Sequence, residues 1–159
     1  MRKAIHRLKY DGDMSLGDIL SRYLISMYKS LGWQVDMIAP VPISPARRAQ
    51  RGYNQAALLA FPLALGIGVE YTSDALEKVR ETPTQVGLDG AQRRQNVAGA
   101  FEARPAIVQG KRVLIVDDVM TSGATLETCS QALVEAGACQ VYGLTLGRVI
   151  GAPGLDTGL

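Results

Sequence analysis

Two adjacent acids, Asp117 and Asp118, close an apolar run and precede the small residues Thr121-Ser122-Gly123-Ala124-Thr125 in the stretch VLIVDDVMTSGATL. The small residues join an expected strand to an expected helix. N–H groups at a helix start have no partner inside the helix. Small side chains let an anion come close, and Gly123 lets the chain turn. Thr121, Ser122 and Thr125 add hydroxyl donors, so the segment can cradle a phosphate. The helix dipole adds up to about 2 kcal/mol and each charge-assisted hydrogen bond about 1.5–3 kcal/mol. That suits one phosphate monoester and is too little for a whole substrate. A phosphate repels the two acids, so their work lies elsewhere. They can accept from neighbouring hydroxyls or face Mg²⁺ through water. A sugar with vicinal hydroxyls and a 5-phosphate, such as ribose 5-phosphate, meets both demands.

Other readings of an acid pair are weaker. Helix caps and the metal sites of phosphate-receiving regulators also use such pairs, without a Thr-Ser-Gly-Ala-Thr run behind them. The second motif of P-loop ATPases needs a GxxxxGK[ST] partner, and the Gly110–Lys111 pair is followed by Arg112. Gly66-Ile67-Gly68 does not extend to GxGxxG. A second cluster stands in PVPISPARRAQRGYNQ, where Arg47, Arg48 and Arg51 fall within five residues. Forked guanidinium donors grip phosphate groups in a way lysine does not. The competing reading is a solvated charged face.

The elements that position these groups follow from periodicity. Leu16, Ile19, Leu20, Tyr23, Leu24, Met27 and Leu31 recur at helical spacing, with Asp13 or Ser15 as cap and Gly32 as stop. VDMIAPVPIS reads as a buried strand ending at Pro42, and the prolines through Pro45 keep the next residues out of regular structure. A helix starts at Asn54, with Pro62 expected to kink or split it. GVEYTSDALEKVR holds one or two short strands. ETPTQVGLDGAQRRQN reads as a long polar loop with a helical turn near its end. KRVLIVDD is a buried strand, GATLETCSQALVEAG a helix closed by Gly137, and CQVYGLTLGRV another buried strand. Strand, helix and strand form a βαβ unit, which builds a parallel sheet whose ligands bind at the carboxyl ends of its strands. The acid pair and the loop after Pro42 both fall at such ends.

Composition narrows the class. The 159 residues suffice for one domain, and 47% hydrophobic with 20% charged residues is an ordinary globular balance. A net charge of +2 is too small to argue for nucleic acid. With 6% aromatics and no aromatic platform among basic residues, direct nucleic-acid binding is disfavoured. No apolar stretch reaches the roughly 18 residues of a membrane helix, and Pro62 interrupts the longest, Ala56 to Ile67. The start MRKAIHRLKYDGDMS has no apolar run behind its basic residues and is no signal peptide. Cys129 and Cys139 make no metal motif with His6, the sole histidine, and read as reduced core residues of a cytoplasmic protein.

VLIVDDVMTSGAT resembles the PRPP-binding signature of type I phosphoribosyltransferases, with Ser122 in place of the commoner threonine. The resemblance implies that Asp117 and Asp118 contact ribose hydroxyls and that the residues from Val119 and Met120 through Thr121, Ser122, Gly123, Ala124 and Thr125 hold the 5-phosphate. It implies that Arg47, Arg48 and Arg51, after the first core strand, meet the pyrophosphate of PRPP. A flexible hood over the site is implied at 80–101, with Arg80, Gln85, Arg93 and Asn96 as its contacts. PVPISPARRAQRGYNQAALLA, RETPTQVGLDGAQRRQN and the signature together resemble the competence protein F (ComF) family, over most of the chain. Members commonly carry an N-terminal cysteine-rich zinc module before this domain, and with the sequence starting near the LKYDG stretch the expectation is a phosphoribosyltransferase domain without that module.

The expected fold is therefore α/β, a parallel central sheet flanked by helices, type I phosphoribosyltransferase-like, with a hood loop. Residues 1–159 are expected as one domain: a helical segment at 1–36, a core at 37–150 containing the hood region, and a flexible tail at 151–159. The implied reaction is displacement of pyrophosphate at C1 of PRPP by a nitrogen nucleophile, a base or amine left unidentified. Arg47, Arg48 and Arg51 take leaving-group charge, Asp117 and Asp118 orient the ribose, Mg²⁺ is the cofactor, and Asp118 faces it through water. No general base stands out, and His6 is a weak choice. Three function classes stay open: a transferase, a PRPP or nucleotide sensor without transfer, and an accessory protein of DNA uptake working through protein contacts. A homodimer and DNA-uptake proteins are open partners.

Overall fold

The computed structural model describes residues 16–82 and 90–148. The expected caps Asp13 and Ser15, the residues His6 and Gln85, and the tail at 151–159 lie outside them. Four parallel strands form the main sheet in the order β2-β1-β5-β6: β1 (Met37–Pro40), β2 (Glu70–Tyr71), β5 (Arg112–Met120) and β6 (Gln140–Arg148). A separate antiparallel pair joins β3 (Leu76–Lys78) to β4 (Phe101–Ala103).

Alternation along the central strands builds two cores, because successive side chains point to opposite faces. Met37, Ala39, Val113 and Ile115 face one side, where they meet Cys129 and Leu133 of α6 (Ala124–Glu135) and Leu76 and Phe101 of the β3–β4 pair. Ile38, Leu114, Val116 and Leu144 face the other. There they meet Leu20 and Leu24 of α1 (Leu16–Leu31) and Leu59 and Leu63 of α3 (Gln55–Ile67). Burial on both faces is why β1 and β5 read as unbroken apolar runs.

Helices α1 and α3 pack in the same sense, Gly17 beside Leu58 and Gly66 beside Ile25. A Cβ on Gly17 would lie 2.6 Å from the Leu58 carbonyl oxygen, so glycine is what admits the neighbouring backbone. The expected split at Pro62 does not occur, and α3 is one element of 13 residues. Pro62 removes the donor that would serve the Leu58 carbonyl, yet Leu59, Leu63 and Ala64 are buried on either side of it. Packing of that apolar face holds the helix across the missing bond.

Other expectations are corrected. β1 ends at Pro40 rather than Pro42. The proline-rich stretch after it is irregular only as far as Ser44: α2 spans Pro45–Arg51. Ser44, extended at φ −66° and ψ 155°, is its N-cap, and Pro45 occupies the first turn, where a missing N–H costs nothing. β5 does not stop at the acids but runs on to Met120, held by pairing of Val119 with Gly147 and Met120 with Arg148 of β6. The helical turn in the polar segment is an eight-residue helix, α4 (Gly90–Val97). β4 and the short α5 (Pro105–Val108) were not anticipated.

Candidate functional site

The acid pair lies in the last third of β5. Asp118 N–H donates to Asp117 Oδ1 at 2.8 Å, and Val119 N–H donates to Asp118 Oδ1 at 2.7 Å. Each carboxylate thereby braces the backbone of the residue after it. The pair is divided by the pleat. Asp117 is half-buried and lines a cleft with Thr121, Gly123, Ala124 and Thr125, whereas Asp118 is only 3% exposed. Asp117 is thus the acid most open to a ligand over this cleft.

That cleft, about 20 Å³, is the size of a single water site. Gly123, at φ +83°, is the N-cap of α6 and brings no side-chain oxygen to the helix end. Ala124 N–H reaches Ser122 Oγ at a long 3.4 Å, and the intrahelical ladder begins with Glu127 N–H on Gly123 O at 2.9 Å. The N–H groups of Thr125 and Leu126 precede that first rung and belong to the helix end. Donors, dipole and small residues therefore meet at one place and suit an oxyanion. Behind the cradle, burial and then the Asp117 charge push the Cys129 thiol far up, so it stays a neutral core group.

Helix geometry gathers the arginines. At about 100° per residue, Arg47, Arg48 and Arg51 fall within an arc of about 100° on α2. Arg47 and Arg48 are exposed and form no ion pair among the described residues, while Arg51 is half-buried. Two residues hold this helix: Ser44, which the sequence reasoning passed over, and Asn54, which it took only as the start of the next helix. Ser44 Oγ accepts from Arg47 N–H at 3.4 Å. Asn54, 6% exposed, donates from Nδ2 to Val41 O at 3.0 Å and accepts at Oδ1 from Ala56 N–H at 3.0 Å. It ties the end of β1 to the start of α3, and α2 hangs between the two.

The hood segment is closed at its base. Arg80 Nη2 donates to Asn96 O at 3.0 Å and to Ala98 O at 2.6 Å. Its guanidinium is spent on stapling the two ends of the segment. Asn96 is half-buried on α4, and Arg93 stands on the same helix. A basic residue missed in the sequence, Lys78, ends β3 two positions before Arg80. It is half-buried, donates from Nζ to Thr82 Oγ1 at 2.8 Å and lies 5.7 Å from the Phe101 ring centroid. Burial, and then Arg47, lower its pKa below the usual lysine value. Lys78 and Arg48 line a second cleft of about 190 Å³ between α2 and β3. Its position at the start of the polar segment was the available signal.

With this geometry in view, the comparisons are specific. The family described as phosphoribosyl transferase domain matches residues 13–147, and the chain belongs to it. Within it the chain is a ComF-type member: it is 34% identical over 151 residues to the DNA utilization protein YhgH of Escherichia coli K12, and 38% identical over 113 residues to the competence protein F of Haemophilus influenzae Rd. Those alignments cover 92% and 69% of this chain, but 66% and 49% of the relatives' lengths. The fold is that of type I phosphoribosyltransferases. The chain superposes on glutamine PRPP amidotransferase from Bacillus subtilis with a TM-score of 0.57 at 26% identity, over 92% of this chain and 29% of that one. Adenine phosphoribosyltransferase from Thermoanaerobacter pseudethanolicus gives 0.54 at 18% identity, over 87% of this chain and 83% of that one. Among the described residues no helix is long and apolar enough to cross a membrane, and no group of three or more His, Cys, Asp or Glu side chains could hold a metal ion.

Proposed function

We propose that the chain binds PRPP with Mg²⁺ and transfers its phosphoribosyl group to a nitrogen nucleophile, releasing pyrophosphate. The observation that supports this most is the joint presence of an oxyanion cradle at Gly123 and an arginine face on α2, after β5 and β1, which pair directly in the sheet. A ligand with phosphate groups at both ends and a sugar between them suits a site with donors after each of two neighbouring strands. The cradle takes the 5-phosphate and Asp117 takes ribose hydroxyls. Arg47, Arg48 and Arg51 take the pyrophosphate and the charge that grows on it as the C1–O bond breaks. Asp118 positions the strand end under Asp117. Of the hood residues, Arg80 keeps the segment closed at its base, and Asn96, Arg93 and Gln85, the last outside the described residues, are proposed as ligand contacts.

Mg²⁺ is a hard cation that keeps several waters and needs few protein oxygens, so the absence of a protein cage among the described residues is compatible with it. Asp117, the more exposed acid, fits it better than the buried Asp118. When bound it would neutralise pyrophosphate oxygens.

A second reading is favoured by the relatives' names, which concern DNA utilization and competence. In it the chain binds PRPP or a nucleotide as a regulator, or serves DNA uptake through protein contacts, without transfer. A pyrophosphate-release screen with PRPP, Mg²⁺ and a panel of bases and amines separates the two. Release that depends on an acceptor supports the transferase. PRPP binding without release for any acceptor supports the regulator.

A further inference from the structure

We infer that Lys78 completes the pyrophosphate subsite: from the end of β3 its ammonium closes on the leaving group opposite Arg47 and Arg48 of α2. The inference rests on the PRPP reading above and adds a cation from a different element.

A half-buried lysine ordinarily pairs with a carboxylate or keeps its head in water. Lys78 instead has the Thr82 hydroxyl and the face of Phe101, and no carboxylate within ion-pairing distance among the described residues. The charges around it come from every side. Arg47 and Arg48 approach from α2, the latter across the 190 Å³ cleft. Asp74, before β3, lines the same cleft, as do Glu77 and Arg104, which pair with each other at 3.5 Å. Arg80 and Glu81 follow it in the chain, and the Cys129 thiol of α6 lies beneath. Phe101, over whose ring the Lys78 ammonium sits, packs in one cluster with Cys129 and Leu133 of α6 and with Val113 and Ile115 of β5, which puts Lys78 on the α6 face of the sheet, the face Asp117 also takes by alternation.

Cations gathered from α2 and β3, with no carboxylate ion-paired to Lys78 among the described residues, form a poor resting arrangement and a good receptor. A pyrophosphate between α2 and β3 relieves the repulsion and raises the proton affinity of Lys78. Burial and Arg47 both lower its proton affinity in the free protein, with Glu81 opposing. Binding of the leaving group therefore favours the charged form of this side chain, whereas ribose 5-phosphate, which lacks the pyrophosphate, does not.

The test is calorimetry of PRPP and of ribose 5-phosphate with Mg²⁺ at about pH 9, in two buffers of different ionisation enthalpy, on the whole chain. The wild type is expected to take up more protons with PRPP than with ribose 5-phosphate. Lys78→Met is expected to bind PRPP about 10- to 100-fold more weakly, the loss of one charge-assisted contact, with that extra uptake gone and ribose 5-phosphate affinity unchanged. Lys78→Arg is expected to keep PRPP affinity within about threefold and still lose the extra uptake, since a guanidinium does not titrate in this range. It keeps the test readable should Lys78→Met fail to fold. Unchanged PRPP affinity in a folded Lys78→Met, or the same extra proton uptake in Lys78→Arg as in wild type, overturns the inference alone. A wild type that binds PRPP no better than ribose 5-phosphate overturns the PRPP reading and this inference with it.

Discussion

Asn54→Ala removes two hydrogen bonds from a residue that is 6% exposed. The first is the cap on α3, Ala56 N–H to Oδ1 at 3.0 Å, whose loss costs about 1 kcal/mol. The second is Nδ2 to Val41 O at 3.0 Å. Val41 is buried, so its carbonyl is left without that donor, at about 1–3 kcal/mol. The sum is about 2–4 kcal/mol. With a urea dependence of about 2 kcal/mol per molar, the unfolding midpoint falls by about 1–2 M. Trp33, the only tryptophan, stacks on Tyr142 of β6 at 4.6 Å and reports unfolding by fluorescence. Asn54→Ser keeps a capping oxygen but is too short to reach Val41 O, so it regains about 1 kcal/mol of the loss. The expected order of stability is wild type, Ser, Ala. A midpoint for Asn54→Ala within about 0.25 M of wild type, or equal midpoints for Ser and Ala, would refute this account of what anchors α2.

Three further outcomes are expected. Gly17→Ala destabilises by about 1–3 kcal/mol, since its Cβ meets the Leu58 carbonyl backbone; Gly66→Ala costs less because it meets the flexible end of Ile25, and thermal melts showing the reverse order would contradict the packing. The Arg112 hydrogen bonds hold the Asp36 carboxyl at a pKa of about 2, so the stability it lends is fully present above the unfolded carboxylate value of about 4 and is lost as pH falls from there toward 2; Asp36→Asn should flatten that acid limb in denaturation at stepped pH, and an unaltered limb would remove the pair from the account. Asp117→Asn should weaken PRPP binding about tenfold or more with little change in melting, whereas Asp118→Asn, at 3% exposure, should lower the melting temperature as well; equal melting of the two would deny the division between open and buried acid.

How much was legible depends on whether the cause was local. β5 and α6 were readable because a doubly buried strand leaves an apolar run and the cradle lies within one short segment; β6 was readable as a strand but not as a buried one, since only Leu144 of it is buried. The arginines were readable as a cluster, yet their helix was not. Dense proline suggested a breaker, and the decisive feature was the order Ser44 then Pro45, an N-cap before a first-turn proline. Pro62 misled for the opposite reason, since what holds α3 together is burial against α1 and the sheet, a tertiary effect. β4 forms through pairing with β3 across more than twenty residues, and three residues of FEA carry no period of their own. The acids looked alike in sequence, and only the pleat told them apart. Lys78 had no motif to mark it; its surroundings come from four different elements.

The most direct test of the central claim is titration of the protein with PRPP and with ribose 5-phosphate in the presence of Mg²⁺, repeated with Arg47→Ala/Arg48→Ala. The account predicts saturable binding of both ligands by the wild type, PRPP the tighter, and a loss in the double variant that falls mainly on PRPP. No binding of PRPP, or an equal loss for the two ligands, would contradict it.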